Sequence, residues 1–128
     1  MKPKLTLIEE TFTLHRLEAA ASIPDVVLDS SFFSITRTSD ELSIAVPEGV
    51  TLWGTRQEAG WSCIKVLGPL DFALTAILAG ISGALAEEGI SIFAVSTFDT
   101  DYILVKQENC GRARHVLENA GYEFVESE

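Results

Sequence analysis

The sequence predicts an α+β fold made of two ferredoxin-like units of βαββαβ order, the first one abbreviated, over residues 1–60 and 61–128. Two patterns carry that expectation. The second half alternates strand-like and helix-like periodicity in the full βαββαβ order, and the first half repeats a shortened β-(short α)-ββ version of it. A hydrophobic content of 47% over 128 residues is enough to bury a real core in one compact domain or in two very small ones.

Residues 5–17 are β-rich, but the alternation of Leu5 and Leu7 gives way to that of Phe12 and Leu14 across Glu9-Glu10, which predicts a bulge or a bend. Residues 19–22 and 24–28 read as a short helix or a pair of turns. Residues 32–37 and 42–46 form a hairpin around Thr38-Ser39-Asp40-Glu41, and Pro47-Glu48-Gly49 with the stretch from Gly54 to Gly60 marks a linker. A degenerate repeat is the economical reading of this half. The alternative is a single mixed domain in which these strands extend the C-terminal sheet.

Residues 61–67 are a strand, and Gly68-Pro69-Leu70-Asp71 turns the chain into a helix, with Pro69 fixing φ and Asp71 placed as an N-cap or first-turn acid. Leu74, Ile77, Leu78, Ile81 and Leu85 share one helical face, and Gly89 stops the helix. Period-two runs of β-branched and aromatic residues over 90–95 and 102–105 predict two buried strands. The short acidic turn Thr97-Phe98-Asp99-Thr100-Asp101 joins them, because Asp and Thr side chains bond the nearby backbone and fit tight connections. Asn109 caps a second helix with Ala113, Val116, Leu117 and Ala120 on one face, Gly121 ends it, and residues 122–126 close the order as a strand.

Composition narrows the function. No run approaches the ~18–20 apolar residues of a membrane span, and Met1-Lys2-Pro3-Lys4 leads into a strand rather than a signal peptide, so no membrane association and a cytoplasmic location are expected. The formal charge of −10 and the scattered bases exclude nucleic acid as a partner; Arg112 and Arg114 lie two apart and share no helical face. Such acidity favours a cationic ligand and equally serves solubility. Cys63 and Cys110 lack metal or disulfide spacing and read as packing residues. His15 and His115 fall in different halves, neither beside a nucleophile. There is no Gly-x-Ser-x-Gly elbow, no phosphate loop before a helix and no metal-ligand spacing, so no enzyme, metal site or cofactor is expected.

Three motif runs carry a resemblance. Gly68-Pro69-Leu70-Asp71-Phe72, the helix end from Leu85 to Phe93, and the stretch from Ser96 to Lys106 resemble small tandem ACT-domain proteins. More narrowly, they are similar to the paired-ACT group related to the ACT domains of aspartate kinase and to the CASTOR arginine sensors of animals. The runs 33–38 and 40–44 resemble the first half of that group, so the likeness spans most of the chain.

The resemblance implies a non-catalytic regulatory module that binds an amino acid where two ACT units meet. Carried over residue by residue, it puts Gly68, Pro69, Leu70, Asp71 and Phe72 on one wall and Thr97, Phe98, Asp99, Thr100 and Asp101 nearby, with Asp101 aligned to the acid that faces a guanidinium. Backbone N–H groups at a helix start suit an α-carboxylate, and Asp side chains accept from a cationic group. Each residue also has a structural reading: Asp71 as a helix cap, Asp99 and Asp101 as solvated turn residues that discourage edge pairing. The implied partners are the amino acid and either a second copy, as a homo-oligomer, or a regulated protein. The other functional class is a protein-interaction or assembly module with no small-molecule ligand.

Overall fold

Strand β1 (Lys4–Leu17) runs through the phase change at Glu9-Glu10 without a break in strand assignment. The change falls at the boundary between the two units. The computed structural model describes residues 2–67 and 74–126, and the chain divides into one unit of Glu10–Trp61 and another of Met1–Glu9 with Ser62–Glu128. Leu5 and Thr6 are buried on one side of the exposed pair Glu9-Glu10, and Phe12 and Thr13 on the other, so each half of the strand obeys the core of its own unit.

In the C-terminal unit the predicted order holds: β4 (Arg56–Val66), α2 (Leu74–Glu87), β5 (Ile92–Ser96), β6 (Asp101–Lys106), α3 (Cys110–Asn119) and β7 (Glu123–Val125). The sheet has one strand more than the four expected. The start of β1 lies between β7 and β4, giving β7-β1-β4-β6-β5, and β7 runs parallel to it with Leu5 opposite Phe124. Leu5 is fully buried there, among Ile64, Val66, Ile103 and Val105 of the sheet and Ile81, Leu85, Ala113 and Leu117 of the two helices. Period two on the strands and period 3.6 on α2 and α3 thus meet in one core, as the sequence predicts.

Both helices end by the same device. Gly89 (φ +70°) donates to Ala86 C=O at 3.0 Å and Ile90 to Leu85 C=O at 3.0 Å. Gly121 (φ +102°) donates to Glu118 C=O at 3.0 Å and Tyr122 to Leu117 C=O at 3.0 Å. These paired bonds satisfy carbonyls left open by the last turn, and they require the left-handed backbone that glycine adopts at low cost. Lys2 reinforces the second end, its Nζ donating to Ala120 C=O at 2.5 Å and lying 4.6 Å from the centre of the Tyr122 ring. The start of α3 departs from expectation: Asn109 makes no side-chain capping bond, and a 3₁₀ turn over Gln107–Asn109 feeds the helix instead.

The N-terminal unit contains the second half of β1, α1 (Asp25–Leu28), β2 (Ser34–Arg37), β3 (Leu42–Pro47) and the start of β4. β3 pairs antiparallel with β1 and with β2. Val27, Leu42, Ile44, Val46 and Leu52 form its core, and Phe12 and Phe32 pack edge to face at 5.0 Å. Arg37 binds the carbonyls of Ala19 and Ala21, so it ties down a loop of its own unit. The linker expected from Gly54 to Gly60 is shorter than predicted, because β4 already begins at Arg56. Gly60 sits inside that strand at φ +81°, so the glycine read as punctuation serves a local backbone irregularity within a strand.

Candidate functional site

The β5–β6 register pairs Ser96 with Asp101 and leaves Thr97-Phe98-Asp99-Thr100 as the connection. Thr97 and Thr100 close it on themselves. The Thr97 N–H donates to Thr100 C=O at 2.8 Å, Thr97 Oγ1 donates to the same carbonyl at 3.0 Å, and Thr100 N–H donates back to Thr97 Oγ1 at 3.1 Å. The Thr100 hydroxyl then reaches Val66 C=O at 2.5 Å, tying the base of the hairpin to the end of β4. This is the rigid turn that the Asp and Thr content predicts.

The two aspartates do not behave as a pair. Asp99 is exposed at the tip beside Phe98, which is 99% exposed, whereas Asp101 is 1% exposed. A one-residue step along a strand turns a side chain to the other face, and two steps bring it back, so Asp99 escapes burial only because it sits in the loop and not on the strand. Asp101 Oδ1 accepts the Ser96 hydroxyl at 2.5 Å. Its Oδ2 is buried and has no hydrogen-bond partner among the described residues. Ser96 enters the sequence reading only as the first residue of a run that carries the family resemblance, not as a site residue. A connection of four residues puts it opposite Asp101, which is the signal that would have found it.

The other predicted wall, Gly68, Pro69, Leu70, Asp71 and Phe72, lies outside the described residues. Its approach is described up to Leu67, whose N–H donates to Lys4 C=O at 2.9 Å, one residue beyond the carbonyl held by Thr100. Of the ten predicted residues, the structure therefore bonds Thr97 to Thr100 and Thr100 to Val66, bonds Asp101 to the adjoining Ser96, and leaves Phe98 and Asp99 exposed.

The histidines remain apart in role. His15 is 3% exposed, its Nδ1 lies 2.9 Å from Thr55 Oγ1, and burial holds its pKa below the ordinary value. His115 is exposed on α3 and pairs with Asn119 at 3.2 Å. Among the described residues no cluster of three His, Cys, Asp or Glu side chains is placed to hold a metal ion, and no helix is long and apolar enough to cross a membrane.

An α+β unit, with two helices packed on a mixed sheet and a polar β5–β6 hairpin tied to the end of β4, is the class this geometry defines. The family model described as ACT domain matches residues 56–119, and a second model describing an N-terminal domain matches residues 10–49. The chain belongs to the ACT-domain family. It is 32% identical over 124 residues to the cytosolic arginine sensor for mTORC1 subunit 1 of Homo sapiens and of Pongo abelii, which covers 88% of this chain and 37% of each relative. The chain thus spans little more than a third of the length of those relatives. A crystal structure of an Agrobacterium tumefaciens protein superposes with a TM-score of 0.92 at 36% identity, covering 100% of this chain and 96% of that one. Aspartokinase α and β subunits share the fold, with a TM-score of 0.67 at 16% identity over 94% of this chain and 98% of theirs.

Proposed function

We propose that this chain is a non-catalytic regulatory module that binds an amino acid in its C-terminal unit, with Asp101 facing the ligand's cationic group. Identity of 32% to proteins named as cytosolic arginine sensors supports the ligand class, the absence of catalysis and a cytoplasmic setting, and it makes arginine the first amino acid to test. The observation that carries the reading is Asp101 Oδ2. A buried acceptor left without a donor costs about 1–3 kcal/mol, more when it is charged. An ammonium or guanidinium that donates to it removes that cost and adds a charge-assisted bond.

In this reading Ser96 fixes the carboxylate, the Thr97–Thr100 turn gives it a rigid frame, and Phe98 and Asp99 form the outer rim. The second wall implied by the family resemblance is Gly68, Pro69, Leu70, Asp71 and Phe72, and we propose that the backbone N–H groups of its non-proline residues take the ligand's α-carboxylate. Binding is then reported through a second copy in a homo-oligomer or through a regulated protein.

The test is a thermal melt of protein purified without added amino acids, repeated with each amino acid at millimolar concentration. A ligand at about 100 times its Kd stabilises by about 2.7 kcal/mol, so arginine or another amino acid should raise the Tm, and Asp101→Asn should abolish the rise. A flat response across the whole panel would overturn the reading.

A further inference from the structure

The N-terminal unit contains a cleft of about 520 Å³ between the strands and the loop that joins β3 to β4, within the size range of small-molecule sites. Three of its lining residues have unused binding capacity. Glu48 is exposed yet held in place: Oε2 accepts the Thr11 hydroxyl at 2.8 Å and Oε1 accepts the Gly60 N–H at 2.8 Å. A carboxylate offers roughly four acceptor positions, so two remain for a ligand. Gly60 makes this contact at φ +81°, a conformation that side-chain-bearing residues rarely adopt.

Trp53 lines the same cleft and is 88% exposed, a large apolar ring left uncovered by its own chain. The indole face is the strongest aromatic partner for a cation. His15 lines the cleft too, with Nδ1 engaged by Thr55 and a buried Nε2 that has no hydrogen-bond partner among the described residues. With the proton on Nδ1, Nε2 presents a lone pair to a donor.

The sign of the charge decides the ligand class. Among the described residues no Lys or Arg lines this cleft, and Glu48 is their one formal charge at neutral pH, since burial favours the neutral His15 ring. A smaller neighbouring cleft of about 220 Å³ balances Arg16 and Arg56 against Glu41 and Glu58. Across the chain the charge of −10 raises the local concentration of cations and lowers that of anions.

We propose that this cleft binds a small organic cation, an alkylammonium or alkylguanidinium with an apolar body, using Glu48 as counter-charge and Trp53 as a cover. Among the described residues the lining offers no cationic side chain to pair with a carboxylate, so the ligand class is a cation without one.

Agmatine, a guanidinium and an amine without a carboxylate, is the probe, and pentanoate is the anionic control. Titration calorimetry on the full chain should show agmatine binding and no pentanoate binding. Glu48→Gln should weaken agmatine by at least about tenfold, in keeping with the loss of a charge-assisted contact. Trp53→Ala should weaken it by about fivefold or more, the size of a cation–π contact. Both positions are exposed, and a thermal melt of each variant confirms folding. The proposal fails if agmatine does not bind, if pentanoate binds as well, or if the Glu48 and Trp53 variants bind agmatine as tightly as the wild type.

Discussion

Gly80 of α2 faces the hydroxyl of Tyr122: a Cβ built on Gly80 would lie 2.8 Å from Tyr122 Oη. Tyr122 has little room to yield, because it is 6% exposed in the core and its N–H closes the end of α3 on Leu117 C=O. Gly80→Ala should therefore destabilise the protein. Overpacking costs about 1–3 kcal/mol, and the better helix propensity of Ala returns up to about 1 kcal/mol. Thermal or urea melts should show a net loss of about 1–2 kcal/mol that the double variant Gly80→Ala/Tyr122→Phe largely recovers, because it removes the colliding oxygen. Equal or higher stability of Gly80→Ala alone would mean that the helix and the ring are not in contact.

Asp101 should show the trade between stability and binding that marks ligand sites. Its side chain is 1% exposed, accepts one bond from Ser96 and leaves Oδ2 without a partner among the described residues. Asp101→Asn keeps the shape and removes a buried charge. In ligand-free protein its Tm should equal or exceed that of the wild type, while the amino-acid-induced rise is lost. A large loss of ligand-free stability would assign Asp101 a structural role in the hairpin.

Local pattern made the elements legible, and nonlocal pairing hid the rest. Ile77, Ile81 and Leu85 repeat at helical spacing, and Gly89 and Gly121 stop their helices because a left-handed turn needs them. No sequence period states which strands pair. The sequence leaves the N-terminal strands either to a repeat of their own or to the C-terminal sheet, and it is the structure that places the first residues of β1 between β7 and β4. Gly54 and Gly60 looked alike as breakers, yet only the first lies outside β4. Within the acidic turn, composition could not separate Asp99 from Asp101. The register that places Ser96 opposite Asp101 is what buries one and exposes the other. The cleft at Glu48 and Trp53 left no motif at all, because it forms from a loop closing over a strand.

The cysteines should react at different rates. Cys63 is fully buried, and burial pushes its thiol up to about 12, whereas Cys110 is half-buried at the start of α3. The thiolate is the reactive form, so at about pH 8 a thiol reagent should modify Cys110 in the native protein and spare Cys63 until the chain unfolds. Mass spectrometry of timed samples, with and without denaturant, separates the two. Equal native rates would contradict the burial of Cys63 inside the sheet.

His15 should make the protein less stable as the pH falls. Burial favours the neutral ring, so its folded pKa lies below the ordinary value of 6.5, and the unfolded chain takes up the proton first. Stability then rises with pH wherever the unfolded state binds more protons. Above about 6.5 the group is neutral in both states and contributes no slope; below it, stability drops until the folded ring also protonates. Carboxylates add their own acid dependence, so the comparison must be internal. His15→Asn removes the titrating ring while leaving every other charge, and its own packing defect is the same at every pH. Melts of both proteins from pH 8 to about pH 5 should show a steeper fall for the wild type, with the two curves converging toward acid as the wild type loses the advantage of its neutral ring. Parallel curves would show that His15 protonates as readily folded as unfolded, which a ring 3% exposed with an unpartnered Nε2 among the described residues does not permit.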